Sequence, residues 1–225
     1  MDAQVLAHIT QAKASRQAVA VVTDLADGGQ AVMDEHEAAS HALCEHILPR
    51  FKSGKSGVVD VAGAEHFIQM HIPSPRLVII GAVHITQALA PIAKACNFEV
   101  MIVDPRTAFA TPERFERFNL HAEWPQDIVE TLALDPFTAL VAVTHDPKID
   151  DTPLQAALEA GCFYVGALGS RKTHAKRLDR LTALGLSEDK LNRISAPIGL
   201  NIGAANPPEI AVAIMAQMIE TLRVA

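Results

Sequence analysis

The segment from Arg76 to Asp104, R-L-V-I-I-G-A-V-H-I-T-Q-A-L-A-P-I-A-K-A-C-N-F-E-V-M-I-V-D, constrains the fold more than any other part of the chain. It opens on an unbroken apolar run, Leu77-Val78-Ile79-Ile80, halted by Gly81. A β-branched run without polar alternation suits a strand covered on both faces, as in a parallel sheet. Ile85, Leu89, Ile92 and Ala93 then recur at helical spacing, and a second apolar run, Val100-Met101-Ile102-Val103, ends at Asp104. Strand, helix, strand is a βαβ crossover, almost always right-handed. Asp104 follows Gly81 by 23 positions, near where a dinucleotide fold carries its ribose-binding acid. The glycine fingerprint is incomplete, however. G-x-G-x-x-G needs glycines at 81, 83 and 86, and the chain has Gly81, Val83 and Thr86. The second glycine lets the backbone approach a pyrophosphate, and a branched side chain at Val83 obstructs that place. The segment specifies the fold and argues against ordinary NAD(P) binding.

From Arg76 onward, strands and helices alternate. Further strands are expected at Ala139–Val143 and Phe163–Leu168. Helices are expected at Asp127–Leu134, around Leu154, Ala157 and Leu158 up to Gly161, and from Arg171 to Leu184 with Leu178, Leu181 and Leu184 buried. Asn206-Pro207-Pro208-Glu209 is an N-cap with Pro at the first helical position. The helix that follows carries Ile210, Ile214, Met218 and Leu222 on one stripe. Residues 1–72 read as a small α+β domain. It has a helical stripe at Val5, Leu6 and Ile9, strands at Ala18–Val22, Val58–Val61 and Phe67–Ile72, and a helix with His41, Leu43, Cys44, Ile47 and Leu48 that must end by Pro49 or soon after. Pro73-Ser74-Pro75 separates it from a second domain, 76–225. The expected architecture is α/β: a Rossmann-like, mostly parallel sheet with helices on both faces, preceded by the small α+β domain.

A formal net charge of −7 argues against a nucleic-acid partner. No apolar run reaches the roughly 18 residues of a membrane span. The N-terminus shows no basic stretch ahead of an apolar core, so the expectation is a cytoplasmic protein. Cys44, Cys96 and Cys162 are an odd number without metal-type spacing and read as reduced thiols. His36, His41 and His46 are five apart, which turns each about 140° from the last on a helix and spreads them around it. No metal site is expected.

In an open α/β sheet, ligands bind beyond the carboxyl ends of the strands. Those ends are Gly81-Ala82-Val83-His84, Asp104-Pro105-Arg106, Thr144-His145-Asp146 and Gly169-Ser170-Arg171. Gly169-Ser170 feeding a helix offers unobstructed amides and a hydroxyl, with charge from Arg171 and Lys172, a natural anion cradle. Arg106 could add a bidentate contact from the opposite side of the switch point. His84 and His145 could meet as proton carriers. No activated nucleophile is present: there is no G-x-S-x-G and no Cys beside a basic cluster. The chemistry points to a phosphate-bearing small molecule and names no reaction.

Six stretches carry a resemblance: L-V-I-I-G-A-V-H-I (77–85), V-D-P-R (103–106), T-H-D-P-K-x-D-D (144–151), F-Y-V-G-A-L-G-S-R-K-T (163–173), G-L-S-x-x-x-L-x-R-I (185–194) and A-P-I-G-L-x-I-G-A-x-x-P-x-E-I-A (196–211). In this order they resemble the C-terminal domain of the XdhC/CoxI family, accessory proteins of molybdenum hydroxylases such as xanthine dehydrogenase. The resemblance implies a maturation factor, not itself catalytic, that binds the molybdenum cofactor (molybdopterin with its phosphate tail). It would protect the cofactor while a sulfurase installs its sulfur ligand and deliver it to the apo-enzyme, as a homo-oligomer. Gly199 and Gly203 of the last motif then join Gly81, His84, Asp104, Arg106, Thr144, His145, Asp146, Gly169, Ser170 and Arg171 as the expected cofactor-binding set. Two departures mark a short form. Val83 replaces the second glycine of the family's G-A-G-H, and residues 1–72 lack the Gly-Ser-x-Pro-Arg and Gly-Gly-Cys-x-Glu stretches of longer members. Two alternatives stand beside this reading. One is an NAD(P)-dependent oxidoreductase with Asp104 on the ribose or Arg106 on a 2′-phosphate. The other is a docking protein that has lost its ligand.

Overall fold

Asp2 caps the first helix, α1 (Ala3–Ala14), its carboxylate accepting the Gln4 amide at 3.1 Å. The computed structural model describes residues 2–224 and divides into two units, one ending at Pro73 and one beginning at Ser74. In the first unit, β1 (Val19–Asp24) and β2 (Gln30–Met33) are followed by α2 (Glu35–Ala38), α3 (Cys44–Ser53), β3 (Gly57–Val61) and β4 (Ala64–His71). The strands form an antiparallel sheet in the order β2-β1-β4-β3, with Val22 opposite both Ala31 and Ile68. Alternation along β1 sends Ala20 and Val22 toward Ile47, Phe51, Ile68 and Met70, and Val21 toward Val5 and Ile9 of α1. Both faces are covered, which is why this antiparallel strand reads as an unbroken apolar run.

Three expectations for this unit are corrected. Leu6 is exposed, and Ala12 completes the buried stripe of α1. α3 begins only at Cys44, leaving His41 and Leu43 before it, and it ends at Ser53, where Gly54 at φ +68° stops it. His36, His41 and His46 do not share a helix: His36 lies on α2, His46 on α3, and His41 in the turn between, where its Nδ1 accepts the Leu43 amide at 3.1 Å.

The second unit runs β5 (Arg76–Ile80), α4 (His84–Ala95), β6 (Glu99–Val103), α5 (Pro112–Phe115), β7 (Asn119–His121), α6 (Pro125–Ile128), β8 (Thr138–Ala142), α7 (Pro147–Glu159), β9 (Tyr164–Ala167), α8 (Arg171–Ala183), α9 (Glu188–Leu191), β10 (Ile194–Ser195) and α10 (Pro207–Arg223). All six strands are parallel, in the order β10-β9-β8-β5-β6-β7. Counted from β5 this is the 3-2-1-4-5-6 order of a Rossmann sheet, with its switch point between β5 and β8. Leu77 and Ile79 face α4 and α10, meeting Leu89, Ala93, Ile214 and Met218. Val78 and Ile80 face the other way, onto Ile149, Leu154 and Leu158 of α7 and Leu181 of α8. Each such fully buried side chain contributes roughly 1.5–3 kcal/mol.

Asn119–His121 is an edge strand that its polar ends conceal in the sequence. The helix expected at Asp127–Leu134 is only Pro125–Ile128. Leu184, just past the end of α8, is 53% exposed, and Arg177, at 2%, takes a place in the buried row beside Leu181.

Candidate functional site

The turn after β5 is built by groups that hold one another. Gly81 adopts φ +119°, and a Cβ there would lie 2.8 Å from the Thr144 methyl, so the chain ends of β5 and β8 abut across the switch point. Asp104, 0% exposed, accepts the Ala82 amide at 2.7 Å, the Arg106 amide and Nε at 2.9 Å, and Arg106 Nη2 at 2.7 Å. Burial alone raises a carboxyl's pKa, but these bonds and the Arg106 charge hold Asp104 below the usual carboxylate range. Arg106 is raised in turn, chiefly by its bond to Asp104. Two expectations change here. Asp104 is a buried brace for the turn, with no surface on which to meet a ribose. The Arg106 fork grips Asp104, so it is not free to bind a ligand bidentately; the guanidinium lies 4.5 Å from the Phe109 ring centre. Arg114, which sequence reasoning passed over, ties the same loops together by donating to the carbonyls of Ala82 at 2.9 Å and Phe109 at 2.7 Å.

Val83 precedes α4 in extended conformation and makes no side-chain cap. Its side chain packs half-buried against the core cluster beneath α4, so it does not stand wholly over the turn. His84, first residue of α4, is exposed.

After β8, Thr144 donates to Asp150 Oδ1 at 2.6 Å and accepts the Asp146 amide at 3.0 Å. His145 is exposed at φ +65°, the left-handed region that few side chains adopt. Asp146 caps α7 through the Lys148 amide, and Ser170 caps α8 through the Thr173 amide. Both helices start at strand ends, so their N-termini lie on the rim, where they favour anions.

Two cavities open on this rim. One, of about 430 Å³, is walled by Leu168, Arg171, the chain from Pro197 to Ala204, and Ile210 and Ala213 of α10. It unites Arg171, Gly199 and Gly203 of the expected set. The second, of about 280 Å³, lies between α7 and α8 and is walled by His145, Pro147, Asp150, Lys172, Thr173, Lys176, Arg177 and Arg180. Gly81, His84, Asp104, Arg106, Thr144, Asp146, Gly169 and Ser170 line neither cavity. Asp150 and Arg177 are the functional candidates that sequence reasoning missed. Burial pushes the Asp150 carboxyl up to about 6, against the pull of the Thr144 hydroxyl and the Arg177 charge. The sequence signal available was the cation row Lys172, Lys176 and Arg180 at four-residue spacing on a basic amphipathic helix. Among the described residues no group of three or more His, Cys, Asp or Glu could hold a metal ion, and no helix is long and apolar enough to cross a membrane.

The sequence pattern of one family, described as the XdhC Rossmann domain, matches residues 77–218. A Bacillus subtilis (strain 168) protein, named a probable xanthine dehydrogenase subunit, is 33% identical over 156 residues, 69% of this chain and 45% of that protein. Molybdenum cofactor insertion chaperone PaoD of Escherichia coli (strain K12) is 32% identical over 146 residues, 65% of this chain and 40% of PaoD. The chain thus spans less than half the length of the curated relatives it matches. A crystal structure of a xanthine dehydrogenase from Bacillus halodurans superposes with a TM-score of 0.67 at 21% identity, over 98% of this chain and 64% of the other. At that identity the likeness concerns the fold.

Proposed function

This chain belongs to the XdhC family, and from that premise we propose that it is an accessory factor for a molybdenum hydroxylase. In this reading it holds the molybdenum cofactor at the carboxyl rim of its parallel sheet and passes it to the apo-enzyme. The observation that carries the reading is the 430 Å³ cavity beside Arg171, within the roughly 300–1,000 Å³ range of small-molecule sites.

The residues around that cavity fit such a group. A phosphate-ended pterin needs a cation at one end and a flat, hydrogen-bonding surface at the other. Arg171 is exposed at the start of α8 and supplies the first. The second falls to the chain from Pro197 to Ala204, which lies outside helix and strand and lines the cavity, with the polar side chain of Asn201 among its residues. Gln217 holds that loop in place by accepting the Gly199 amide at 2.8 Å and the Tyr164 hydroxyl at 2.6 Å. Ile198, Leu168 and Ile210 give an apolar wall against which a ring can lie. The cofactor, once in a client enzyme, supplies the molybdenum centre at which hydroxylation occurs. The part of this chain is to bind, orient and release. The NAD(P) reading loses its anchor, since the acid that would meet a ribose is the buried Asp104.

The test is to purify the protein from a host that makes molybdenum cofactor and measure fluorescent pterin per protomer after denaturation. Wild type is expected to carry pterin. Arg171→Ala should weaken retention by about 1.5–3 kcal/mol, the size of a charge-assisted hydrogen bond, or roughly ten- to hundredfold. Wild-type protein free of pterin, with no activation of an apo-hydroxylase, would favour a docking protein; equal retention in both forms would move the site elsewhere.

A further inference from the structure

Arg177 is among the largest side chains fully buried in this protein, at 2% exposure, and it forms part of the wall of the α7–α8 cavity. Its Nη2 donates to the Leu168 carbonyl at 2.9 Å. Its Nε and Nη1 are buried without a hydrogen-bond partner among the described residues. A guanidinium is ionised at every physiological pH, and buried donors on a charged group are costly to leave unpaired. Burial lowers its pKa, and Asp150 and Asp151 compensate its charge through space.

The remaining walls have the character of an anion site. Lys172 and Lys176 stand at the mouth, one helical turn apart. Arg180 is paired with Asp151, Nη2 to Oδ1 at 2.9 Å, and Asp150 is turned to the Thr144 hydroxyl. Four cationic side chains and one carboxylate, Asp150, line the cavity, and Asp151 beyond the lining pairs with Arg180, which leaves the cations in excess in a chain whose net charge is −7. The cavity's 280 Å³ falls short of the usual range for larger ligands. Donors arranged from a buried guanidinium outward to two ammonium groups suit a compact anion with three or more oxygens better than a carboxylate with two.

We propose that the α7–α8 cavity binds a phosphoryl group, free or at the end of an ester, with Arg177 as its buried anchor and Lys172 and Lys176 as outer contacts. The site is separate from the cavity beside Arg171 and does not rest on the cofactor reading.

Calorimetric titration of the full chain with inorganic phosphate, pyrophosphate, glycerol 3-phosphate and acetate tests it. Saturable binding of phosphate or pyrophosphate in wild type is expected, with acetate at least tenfold weaker. Lys176→Glu lies at the exposed mouth and should weaken phosphate binding tenfold or more. Arg117→Glu, which makes the same charge change on an exposed residue away from the cavity, should leave binding within about twofold. Arg177→Gln should abolish binding; should it fail to fold, Lys176→Glu against Arg117→Glu still decides. Stronger binding of glycerol 3-phosphate than of phosphate identifies an ester end, and the reverse identifies free phosphate. Absence of saturable phosphate binding, equal loss in Lys176→Glu and Arg117→Glu, or acetate bound as well as phosphate would each overturn the proposal.

Discussion

Arg177 sits in R-K-T-H-A-K-R-L-D-R, a stretch in which only Ala175 and Leu178 are apolar, yet its side chain is among the most buried in the protein. Position on the helix accounts for this: residues 173, 177 and 181 form one row, and Leu181 in that row is fully buried. Across from it stands Asp150, and the pair makes a pH-dependent contribution to stability. Burial raises the Asp150 carboxyl from 3.8 to about 6. Its contribution is therefore fully present below about pH 4 and is lost as pH rises through about 6, by on the order of 1–3 kcal/mol. The groups bearing on it are the Thr144 hydroxyl and His145 from the loop after β8, Asp151 from α7, Arg177, Lys172, Lys176 and Arg180 from α8, and Arg106 from the loop after β6. Asp104 works in the opposite sense: its pKa is held low, so its share is present above the ordinary carboxylate pKa and lost on acidification. Urea unfolding of wild type and Asp150→Asn from pH 4.5 to 7 separates the two. The difference between them should change with pH in that window, and a flat difference would mean that Asp150 titrates as an exposed carboxylate does.

At the scale of the element, α10 shows how local signals and packing act together. Asn206 accepts the Glu209 amide at 3.0 Å, and Glu209 returns by accepting the Ala205 amide at 2.7 Å. Pro207 occupies the first helical position, where its missing N–H costs nothing. The helix then buries Ala211, Ala213, Ile214, Met215 and Met218 against α4 and the sheet. Because α10 also walls the cavity beside Arg171, its cap links stability to the site. Asn206→Ala should cost about 1 kcal/mol, lowering Tm by about 2–4 °C and loosening the loop from Pro197 to Ala204. Thermal melts check the first effect. Proteolysis of that loop checks the second, and an unchanged cleavage rate would disconnect the cap from the loop.

At the scale of the whole molecule, the six parallel strands all lie after Ser74 and the four antiparallel ones all lie before it. Each set closes its own core, with Ile47, Phe51 and Ile68 in one and Leu77, Ile79 and Val141 in the other. We predict that residues 74–225 fold without the preceding segment, since the division at Pro73 cuts no strand pairing. A truncated chain beginning at Ser74 should keep its helical circular dichroism and unfold in one cooperative transition. A chain that stays unfolded would mean that the two cores depend on each other.

The apolar runs Leu77–Ile80, Val100–Val103 and Ala139–Val143 determined the parallel sheet by themselves, because burial on both faces leaves no room for polar alternation. The cap at Asn206 was equally legible, since it satisfies backbone groups within three residues of itself. The rim, too, could be located from sequence, as strand ends in such a sheet fall on one side. What each rim residue does was decided only in three dimensions. Asp104 and Arg106 looked like ligand contacts until the turn at Ala82 was folded onto them. Arg177, one of several cations on a basic amphipathic helix, is buried with its Nη2 on the Leu168 carbonyl, a contact that the helix's own sequence does not announce. Periodicity states which face of a helix is turned inward; the charge and dielectric it meets there come from residues far along the chain, and those settle whether a polar group binds a partner within the protein or is left to bind one from outside.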